Sequence, residues 1–495
     1  MKHITGLSGV KMALRNALVV LRRHYPLMLL TLLLAALAVP AGMAIAPGFT
    51  GQGLYPAQPA PSIPPWQQVP RDLSRPDGIE PLSGSAPVPW PETLAGQLNA
   101  TLKPDGGGSF TGVVQDAATG QVLFDRGGAE NRVPASNVKL LTAVAALRSL
   151  GPDRRFSTKT VTGPTAGSVV LTGGGDVLLA AGASSGKDAL GYAGLATLAE
   201  QTVQALKANG ATGAVSVLLD DSLFTGPALS PAWSPDDVAA GEVAPLFPLA
   251  LNSARFEPGV TTGQRPQDAA LTAAEAFSAQ LTAAGAAAGL TVAPGVQRAP
   301  GQGLQGKVLA EVQSATVREQ VNLMLETSDN YLAEALGRIA AAGSGLPGSN
   351  DGAVTNVIEQ LIRLGIPTAG LHLADVSGLT LANQVTARQL SEVVRAITSG
   401  EDTRLRAALD GFPVAGLTGT LGARYTEGST ASGAGLVRAK TGTLNSVIAL
   451  SGYVVDAEGR LLVFSFIGND LTPGAAGNRV ALDQSASVLA SCGCR

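Results

Sequence analysis

Residues 131–139 of this chain of 495 residues read Asn-Arg-Val-Pro-Ala-Ser-Asn-Val-Lys. Apolar side chains recur at helical spacing directly after this stretch, and a proline followed by a serine is typical of the approach to a helix. The pattern therefore predicts a helix that starts at Ser136. Side chains three positions apart share one face of a helix, so we expect the Ser136 hydroxyl and the Lys139 amine to lie within reach of each other.

A serine and a lysine at this spacing suit nucleophilic catalysis. A serine hydroxyl is a weak nucleophile until a base removes its proton, and a lysine kept neutral by burial or by nearby cations can be that base. The start of the helix adds backbone N–H groups and a positive dipole end, which stabilise an oxyanion. The spacing alone is weak evidence, because an N-cap serine beside a solvent-exposed lysine has the same pattern. Ser8/Lys11 and Ser184/Lys187 also match it, the first pair in the basic N-terminal segment and the second in a glycine-flanked stretch without helical periodicity.

Two later motifs strengthen the catalytic interpretation. Residues 328–330 read Ser-Asp-Asn and lie on or at the edge of a predicted helical segment. Residues 440–443 read Lys-Thr-Gly-Thr and precede a β pattern over residues 447–455 that turns and returns over 461–467. The order Ser-x-x-Lys, Ser-Asp-Asn, Lys-Thr-Gly is the signature set of penicillin-binding proteins and class A β-lactamases.

The chain resembles the serine DD-peptidases, and more narrowly the D-alanyl-D-alanine carboxypeptidase/endopeptidase family of low-molecular-mass class C penicillin-binding proteins. The resemblance covers about residues 92–495. The long separation between Ser136 and Ser328 implies an inserted region, unlike a compact β-lactamase. Shorter stretches that look like this family are residues 173–176, 220–224, 231–233, 251–252, 375–379 with Asn383, 413–416, 419–421 and 492–494.

The resemblance implies an α/β (α+β) fold of the β-lactamase/transpeptidase-like type. A catalytic domain is expected from residues 92–157 and 310–491, with helices covering an antiparallel sheet whose final hairpin carries Lys440. Residues 158–309 would form the inserted part, one domain with a smaller one nested in it. Independently of the resemblance, the apolar stretches 111–115 and 121–124 predict a β-hairpin.

The activity implied is that of a serine-type D-Ala-D-Ala carboxypeptidase, with DD-endopeptidase action left open, on peptidoglycan stem peptides. Ser136 forms the acyl-enzyme, Lys139 takes its proton, and β-lactam antibiotics act as covalent inhibitors. Asp329 is left outside the catalytic set, because the sequence fits a solvent-facing helix residue at this position equally well. By resemblance, Ser328 relays a proton to the leaving amine and Asn330 holds the substrate backbone. Lys440 attracts the terminal carboxylate, and the hydroxyls of Thr441 and Thr443, with Gly442 between them, bind it. The resemblance also implies that the backbone N–H groups of Ser136 and Thr443 form the oxyanion hole.

Histidine and cysteine usage excludes other chemistries. Two of the three histidines, His3 and His24, lie in the N-terminal segment, so a Ser-His-Asp triad would have to use His372 and a multi-histidine zinc site cannot be built. His372 is expected to be a surface or core histidine. Cys492 and Cys494, near the C-terminus, fit a small disulfide in an oxidising compartment better than a thiolate nucleophile. No cofactor or metal is expected.

Overall charge argues against nucleic-acid binding. The chain has 34 Lys+Arg against 37 Asp+Glu, so it is neither a strongly basic nucleic-acid binder nor an acidic disordered chain. Residues 1–26 contain five bases, Lys2, Lys11, Arg15, Arg22 and Arg23, and no acid occurs before Asp72. This local excess of positive charge predicts a cytoplasmic segment 1–26.

An apolar run over residues 27–47 follows the basic segment and predicts either a transmembrane anchor, which we favour, or a signal h-region cleaved after residues 44–46. Residues 48–91 are dense in proline and predict an extended linker. The catalytic body is therefore expected outside the cytoplasm, membrane-anchored or secreted to the cell envelope.

Two alternatives remain at this stage. A β-lactamase of the same fold needs a glutamate-held deacylating water, and no Glu-x-x-Leu-Asn occurs between Asn330 and Lys440. A non-catalytic, membrane-tethered binding module for cell-wall peptides would not need Ser136, Lys139 and Lys440 intact. Acylation by a labelled penicillin separates that module from an enzyme.

Overall fold

The structure, a computed structural model, describes residues 82–299 and 306–494. The predicted basic segment, the apolar run and most of the proline-rich linker lie outside the described residues. Among the helices of the described ranges, none combines the length and apolar character needed to span a bilayer.

Helices and strands of the described residues are numbered here in chain order. The helices are α1 (Pro91–Thr101), α2 (Val138–Leu150), α3 (Leu195–Ala208), α4 (Pro235–Ala240), α5 (Ala269–Ala286), α6 (Val317–Thr327), α7 (Asn330–Gly343), α8 (Asn350–Arg363), α9 (Ala387–Ser399) and α10 (Ala475–Ser491). The strands are β1 (Ser109–Asp116), β2 (Val122–Arg126), β3 (Asn131–Arg132), β4 (Ser157–Thr162), β5 (Ser168–Thr172), β6 (Gly213–Asp220), β7 (Leu290–Arg298), β8 (Val308–Gln313), β9 (Val385–Thr386), β10 (Arg438–Leu444), β11 (Val447–Val455) and β12 (Leu461–Asn469).

The first five-stranded sheet has the strand order β10-β11-β12-β1-β2, and every neighbouring pair is antiparallel. It contains both predicted hairpins, β1–β2 and β11–β12. Lys440 lies on β10, opposite Ser451 of β11, and not on the final hairpin as predicted. The prediction was wrong because Lys-Thr-Gly-Thr has no apolar alternation that would mark a strand of its own. In the structure, the whole of Arg438–Leu444 is a separate strand that pairs with β11.

Helices cover this sheet on both faces. Because successive side chains of a strand point to opposite faces, Val463 joins the core beneath α2, α6, α7, α8 and α9, whereas its neighbour Phe464 joins the core beneath α1 and α10. The predicted helix-covered antiparallel sheet is confirmed. The arrangement leaves β10 at the edge of the sheet, close to the start of α2.

A second five-stranded sheet has the order β7-β6-β5-β4-β8. Strands β5, β6 and β7 are parallel, with α3 and α5 as their crossover helices, and both helices pack in the core of this sheet. Strands β4 and β8 pair with each other where the predicted insertion begins and ends. The described residues 82–299 and 306–494 belong to one compact unit. The finer division into catalytic and inserted domains stays a prediction.

Candidate active site

The segment around Ser136 is a single 3-10 turn, Ala135–Asn137, that leads directly into α2. Ala135 has a φ of 47°, a left-handed conformation that non-glycine residues rarely adopt and that is often found at functional sites. One turn further on, Lys139 is fully buried, and its Nζ lies 3.0 Å from the Ser136 Oγ. The predicted contact between the two side chains is confirmed.

Three oxygen atoms surround the Lys139 amine. Besides the Ser136 Oγ, its Nζ donates to the Asn330 Oδ1 at 2.6 Å and to the Ser377 carbonyl at 2.7 Å. A neutral amine has two N–H bonds and one lone pair. When Asn330 and Ser377 accept both N–H bonds, the lone pair faces the Ser136 hydroxyl, the orientation that a general base requires.

The pKa of Lys139 is lowered to about 8, because burial disfavours the charged amine. The carboxylates of Asp375, Asp329, Glu334 and Glu242 act in the opposite direction and limit the decrease. A base with a pKa near the working pH is the kind of group that proton transfer needs.

The Ser-Asp-Asn motif joins two helices rather than continuing one. Ser328 ends α6 with a φ of 59°, and Asp329 begins α7 by accepting a hydrogen bond from the Leu332 N–H at 3.0 Å. Asp329 is buried and forms an ion pair with Arg255 at 2.8 Å, so it does not face solvent. Although burial alone would raise it, the charge of Arg255 and the helix amide lower the pKa of Asp329.

Asn330, at the start of α7, is oriented from two sides. Its Oδ1 accepts from Lys139, and its Nδ2 donates to the Glu242 carbonyl at 3.0 Å. Glu242 belongs to residues 158–309, so the segment predicted as an insertion contributes a backbone group to the site.

Lys440 reaches the Ser-Asp-Asn loop from β10. Its fully buried Nζ donates to the Ser328 Oγ at 3.0 Å and to the Thr441 carbonyl at 2.8 Å. Both acceptors are neutral. Burial, together with the nearby charge of Lys139, lowers the pKa of Lys440 well below its ordinary value.

Gly442 permits the close approach of β10 to the Ser136 turn. A Cβ at this position would lie 2.8 Å from the Asn137 Nδ2 and 2.9 Å from the Pro134 carbonyl oxygen, closer than such atoms pack. The neighbouring Thr441 shares a hydrogen bond of 2.8 Å with Thr420, a hydroxyl that the sequence analysis did not assign.

The predicted residues meet at one cleft of about 640 Å³. Ser136, Ser328, Asn330, Thr441 and Thr443 line it, whereas the amines of Lys139 and Lys440 lie behind its wall. Its other polar lining side chains include Asp237, Glu242, Thr420, Arg424, Asn445, Ser446 and Arg479.

Residues that were set aside lie apart from these contacts. In the second Ser-x-x-Lys match, the Ser184 Oγ accepts a hydrogen bond from the Gly194 N–H at 2.9 Å, and Lys187 is exposed. His372 is exposed. Cys492 and Cys494 are joined in a disulfide.

Sequence reasoning missed the contributors that act through backbone atoms. The carbonyls of Ser377 and Glu242 hold Lys139 and Asn330, but any residue type supplies a carbonyl. The one available signal was the Asp-Val-Ser-Gly-Leu stretch that contains Ser377, which stood among the family-like motifs without an assigned role.

Comparisons with known proteins show the family of this chain. The model of the D-Ala-D-Ala carboxypeptidase 3 (S13) family matches residues 94–271 and 257–490. Carboxypeptidase DacB of Mycolicibacterium smegmatis is 38% identical over 458 residues, which are 92% of this chain and 95% of that protein. The D-alanyl-D-alanine carboxypeptidase of an Actinomadura species is 30% identical over 73% of this chain and 78% of its own length.

Among solved structures, penicillin binding protein 4 (dacB) from Haemophilus influenzae is similar in fold, with a TM-score of 0.62 and 22% identity over 79% of this chain and 97% of that chain. The family model and the relatives together cover most of the residues that build both sheets and the cleft. The chain therefore belongs to the D-Ala-D-Ala carboxypeptidase 3 (S13) family of serine peptidases.

Proposed function

We propose that this D-Ala-D-Ala carboxypeptidase cleaves peptidoglycan stem peptides through an acyl-enzyme on Ser136, with Lys139 as the general base. The observation that carries the proposal is the contact of 3.0 Å between a fully buried lysine amine and a serine hydroxyl that lines the cleft. In the non-catalytic interpretation of the motif, an N-cap serine beside a solvent-exposed lysine, the lysine would not be buried and this contact would be missing.

The first chemical step follows from the orientation of the amine. The Ser136 hydroxyl gives its proton to the lone pair of neutral Lys139 while its oxygen attacks the carbonyl carbon between the two D-alanines. The negative charge on the tetrahedral oxygen is stabilised by the backbone N–H groups of Ser136 and Thr443, two residues on the wall of the same cleft.

Breakdown of this intermediate needs a proton for the departing amine of D-alanine. The Ser328 hydroxyl lies in the cleft and accepts a hydrogen bond from Lys440, so it can donate its proton to the amine and be reprotonated from Lys440. Protonated Lys139 then releases its proton and Lys440 regains one through the solvent of the cleft, which restores both lysines to their starting forms. Water next attacks the acyl-enzyme, gives its proton to neutral Lys139 and frees the Ser136 hydroxyl. Bond making thus uses Lys139, and leaving-group protonation uses Ser328 with Lys440.

Recognition of the terminal carboxylate is assigned to β10. The hydroxyls of Thr441 and Thr443 offer hydrogen bonds, and Lys440 supplies the positive charge. Because Gly442 has no Cβ, this strand can lie close to the nucleophile. Asn330 contributes its amide toward the substrate backbone.

Covalent binding of β-lactams belongs to the same proposal. A structure of the Haemophilus influenzae relative contains a bound β-lactam. A β-lactam presents a strained amide and a carboxylate to the groups that would bind the two D-alanines, so the same serine is expected to be acylated by it.

The location of the reaction is proposed from the substrate and from the sequence. Peptidoglycan lies outside the cytoplasm, which agrees with the export signal inferred for residues 1–47. We propose an anchor over residues 27–47 that retains the protein at the membrane. An N-terminus just after Ala46 in the mature protein would contradict retention.

Labelling with a fluorescent penicillin tests the proposed chemistry. The label is expected on Ser136, with full loss in Ser136→Ala and normal labelling in Ser184→Ala, the matched serine of the second Ser-x-x-Lys pattern. Persistent labelling of Ser136→Ala would overturn the assignment. Mass analysis of digested peptidoglycan then distinguishes carboxypeptidase action, which frees D-alanine, from endopeptidase action, which removes dimeric stems.

A further inference from the structure

Glu334 is a buried carboxylate that the mechanism above does not use. It lies on α7, one helical turn after Asn330, and it has no exposed surface. Its Oε1 accepts hydrogen bonds from the Val376 N–H at 3.0 Å and from the Ser377 N–H at 2.8 Å. A carboxylate is seldom buried without a specific role, since removing it from water is costly.

The same Ser377 presents its carbonyl to the general base. The Lys139 amine donates to this carbonyl at 2.7 Å. Ser377 therefore contacts Glu334 through its N–H and the reacting amine through its carbonyl. Asn330, the other acceptor of that amine, lies on the same helix as Glu334. One element, α7, therefore sets both acceptors: Asn330 directly and Ser377 through Glu334.

We propose that Glu334 is a positioning residue that holds the Ser377 carbonyl against the Lys139 amine and supplies a negative charge behind it. This inference rests on the proposed function, because it assigns a support to the base of that same reaction. The two N–H bonds of neutral Lys139 are directed away from Ser136 only while both acceptors stay in place. Displacing one of them turns the lone pair away from the hydroxyl.

A second carboxylate holds the rest of the loop. Asp375 accepts hydrogen bonds from the N–H groups of Gly378 and Leu379 and from the side chain of Trp233. Asp375 thus secures the loop on the far side of Ser377, and Glu334 secures the near side. This division leaves Glu334 as the carboxylate bound to the peptide N–H of Ser377 itself.

Charges around Glu334 indicate how it affects the base. The groups that face it are Asp375 on the loop and Arg338 on its own helix, and burial together with the Asp375 charge raises the pKa of Glu334 to about 7. Glu334 is consequently mostly ionised at the pH where Lys139 titrates. Its charge, like those of Asp375, Asp329 and Glu242, favours protonated Lys139.

The two roles of Glu334 predict different results for different substitutions. Glu334→Gln keeps an acceptor for the loop amides but removes the charge, so the midpoint of the acylation pH profile is expected to move down by about 0.5 to 1 pH unit. Glu334→Ala removes the acceptor, and the plateau acylation rate is expected to fall about ten- to a hundredfold through misplacement of the base.

The experiment measures penicillin acylation of the full-length chain from pH 5 to 9, and the ¹³Cε titration of Lys139 in the free protein. Ile339→Val, a buried change on the same helix, is the control for lost stability and should leave both readouts unmoved. If Glu334→Ala does not fold, Glu334→Asp, whose carboxylate is withdrawn by one methylene, is expected to show the plateau loss.

The proposal is overturned if the midpoint of the acylation pH profile does not move in Glu334→Gln. It is also overturned if the plateau acylation rate is unchanged in Glu334→Ala or, where that variant does not fold, in Glu334→Asp. Failure of the proposed function looks different, because the wild-type protein would then carry no label on Ser136. The Lys139 titration needs no acylation and reports on Glu334 in either case.

Discussion

Replacing Lys139 by arginine separates a general base from a fixed positive charge. The pKa of Lys139 is about 8 against an ordinary value of 10.5. At pH 7 this difference makes the neutral fraction about 10% instead of about 0.03%, a gain of roughly 300-fold in available base. Arginine keeps the charge but does not deprotonate at accessible pH.

Acylation of Lys139→Arg by penicillin is therefore expected to be slower by about 10²- to 10⁴-fold, the range that general-base catalysis contributes. The wild-type rate constant should rise about tenfold per pH unit below pH 8 and then level off. Stopped-flow or quenched labelling with a fluorescent penicillin measures both quantities. The assay uses a strong buffer and a fixed ionic strength, so that the pH dependence of the rate reports on groups of the enzyme.

Lys187→Arg is the matched control, since this lysine has the same Ser-x-x-Lys spacing but is exposed. It should acylate like the wild type. The reasoning fails if Lys139→Arg retains more than about a tenth of the wild-type rate, or if the wild-type rate is flat from pH 6 to 9. Either result would mean that Ser136 is activated by another group.

Three further substitutions test separate parts of the structure. Lys440→Ala should slow acylation by penicillin about ten- to a hundredfold more than acylation by an ester without a carboxylate, because a charge-assisted hydrogen bond is lost only with the former; equal losses would contradict carboxylate recognition. Gly442→Ala should reduce acylation with little change in Tm, since its Cβ would press β10 away from Asn137, and an unaltered rate would contradict the close-approach argument. Asp176→Asn tests linkage: burial raises the pKa of Asp176 from 3.8 to about 7, so the wild type loses stability as pH rises through that range. In urea unfolding the variant should be more stable than the wild type by about 2 to 4 kcal/mol at pH 8 and nearly equal at pH 4, and equal stability at both pH values would contradict it.

The local parts of the site were predictable from the sequence. Ser136 and Lys139 are one helical turn apart, so helix geometry alone places their side chains together, and the hairpin β1–β2 follows from two apolar stretches with a turn between them. The Ser-Asp-Asn and Lys-Thr-Gly motifs were found by their order, and only the family resemblance suggested that they meet. No spacing rule predicts a contact of 3.0 Å between Lys440 and Ser328.

The remaining parts depend on burial and on backbone atoms. Asp329 in a Ser-Asp-Asn stretch has the character of a solvent-facing helix residue, yet Arg255, distant in sequence, pairs with it inside the protein. Glu334 occupies a helix position where a glutamate usually faces water. Its proposed role rests on the two amides from which it accepts hydrogen bonds, and these belong to a loop more than 40 positions away.

The two buried lysines make opposite demands on the same small volume. In the proposed mechanism Lys139 acts as a base when neutral, whereas Lys440 attracts a carboxylate when charged. Burial lowers the pKa of both. Pairwise electrostatic interactions are reciprocal, so a charge on Lys440 favours neutral Lys139 just as a charge on Lys139 disfavours charged Lys440. A substrate carboxylate resolves the competition, because it stabilises the charged form of Lys440 and leaves Lys139 as the amine that gives up its proton. In the proposed mechanism, binding of the substrate carboxylate and activation of Ser136 are thereby coupled through the electrostatic interaction between the two lysines.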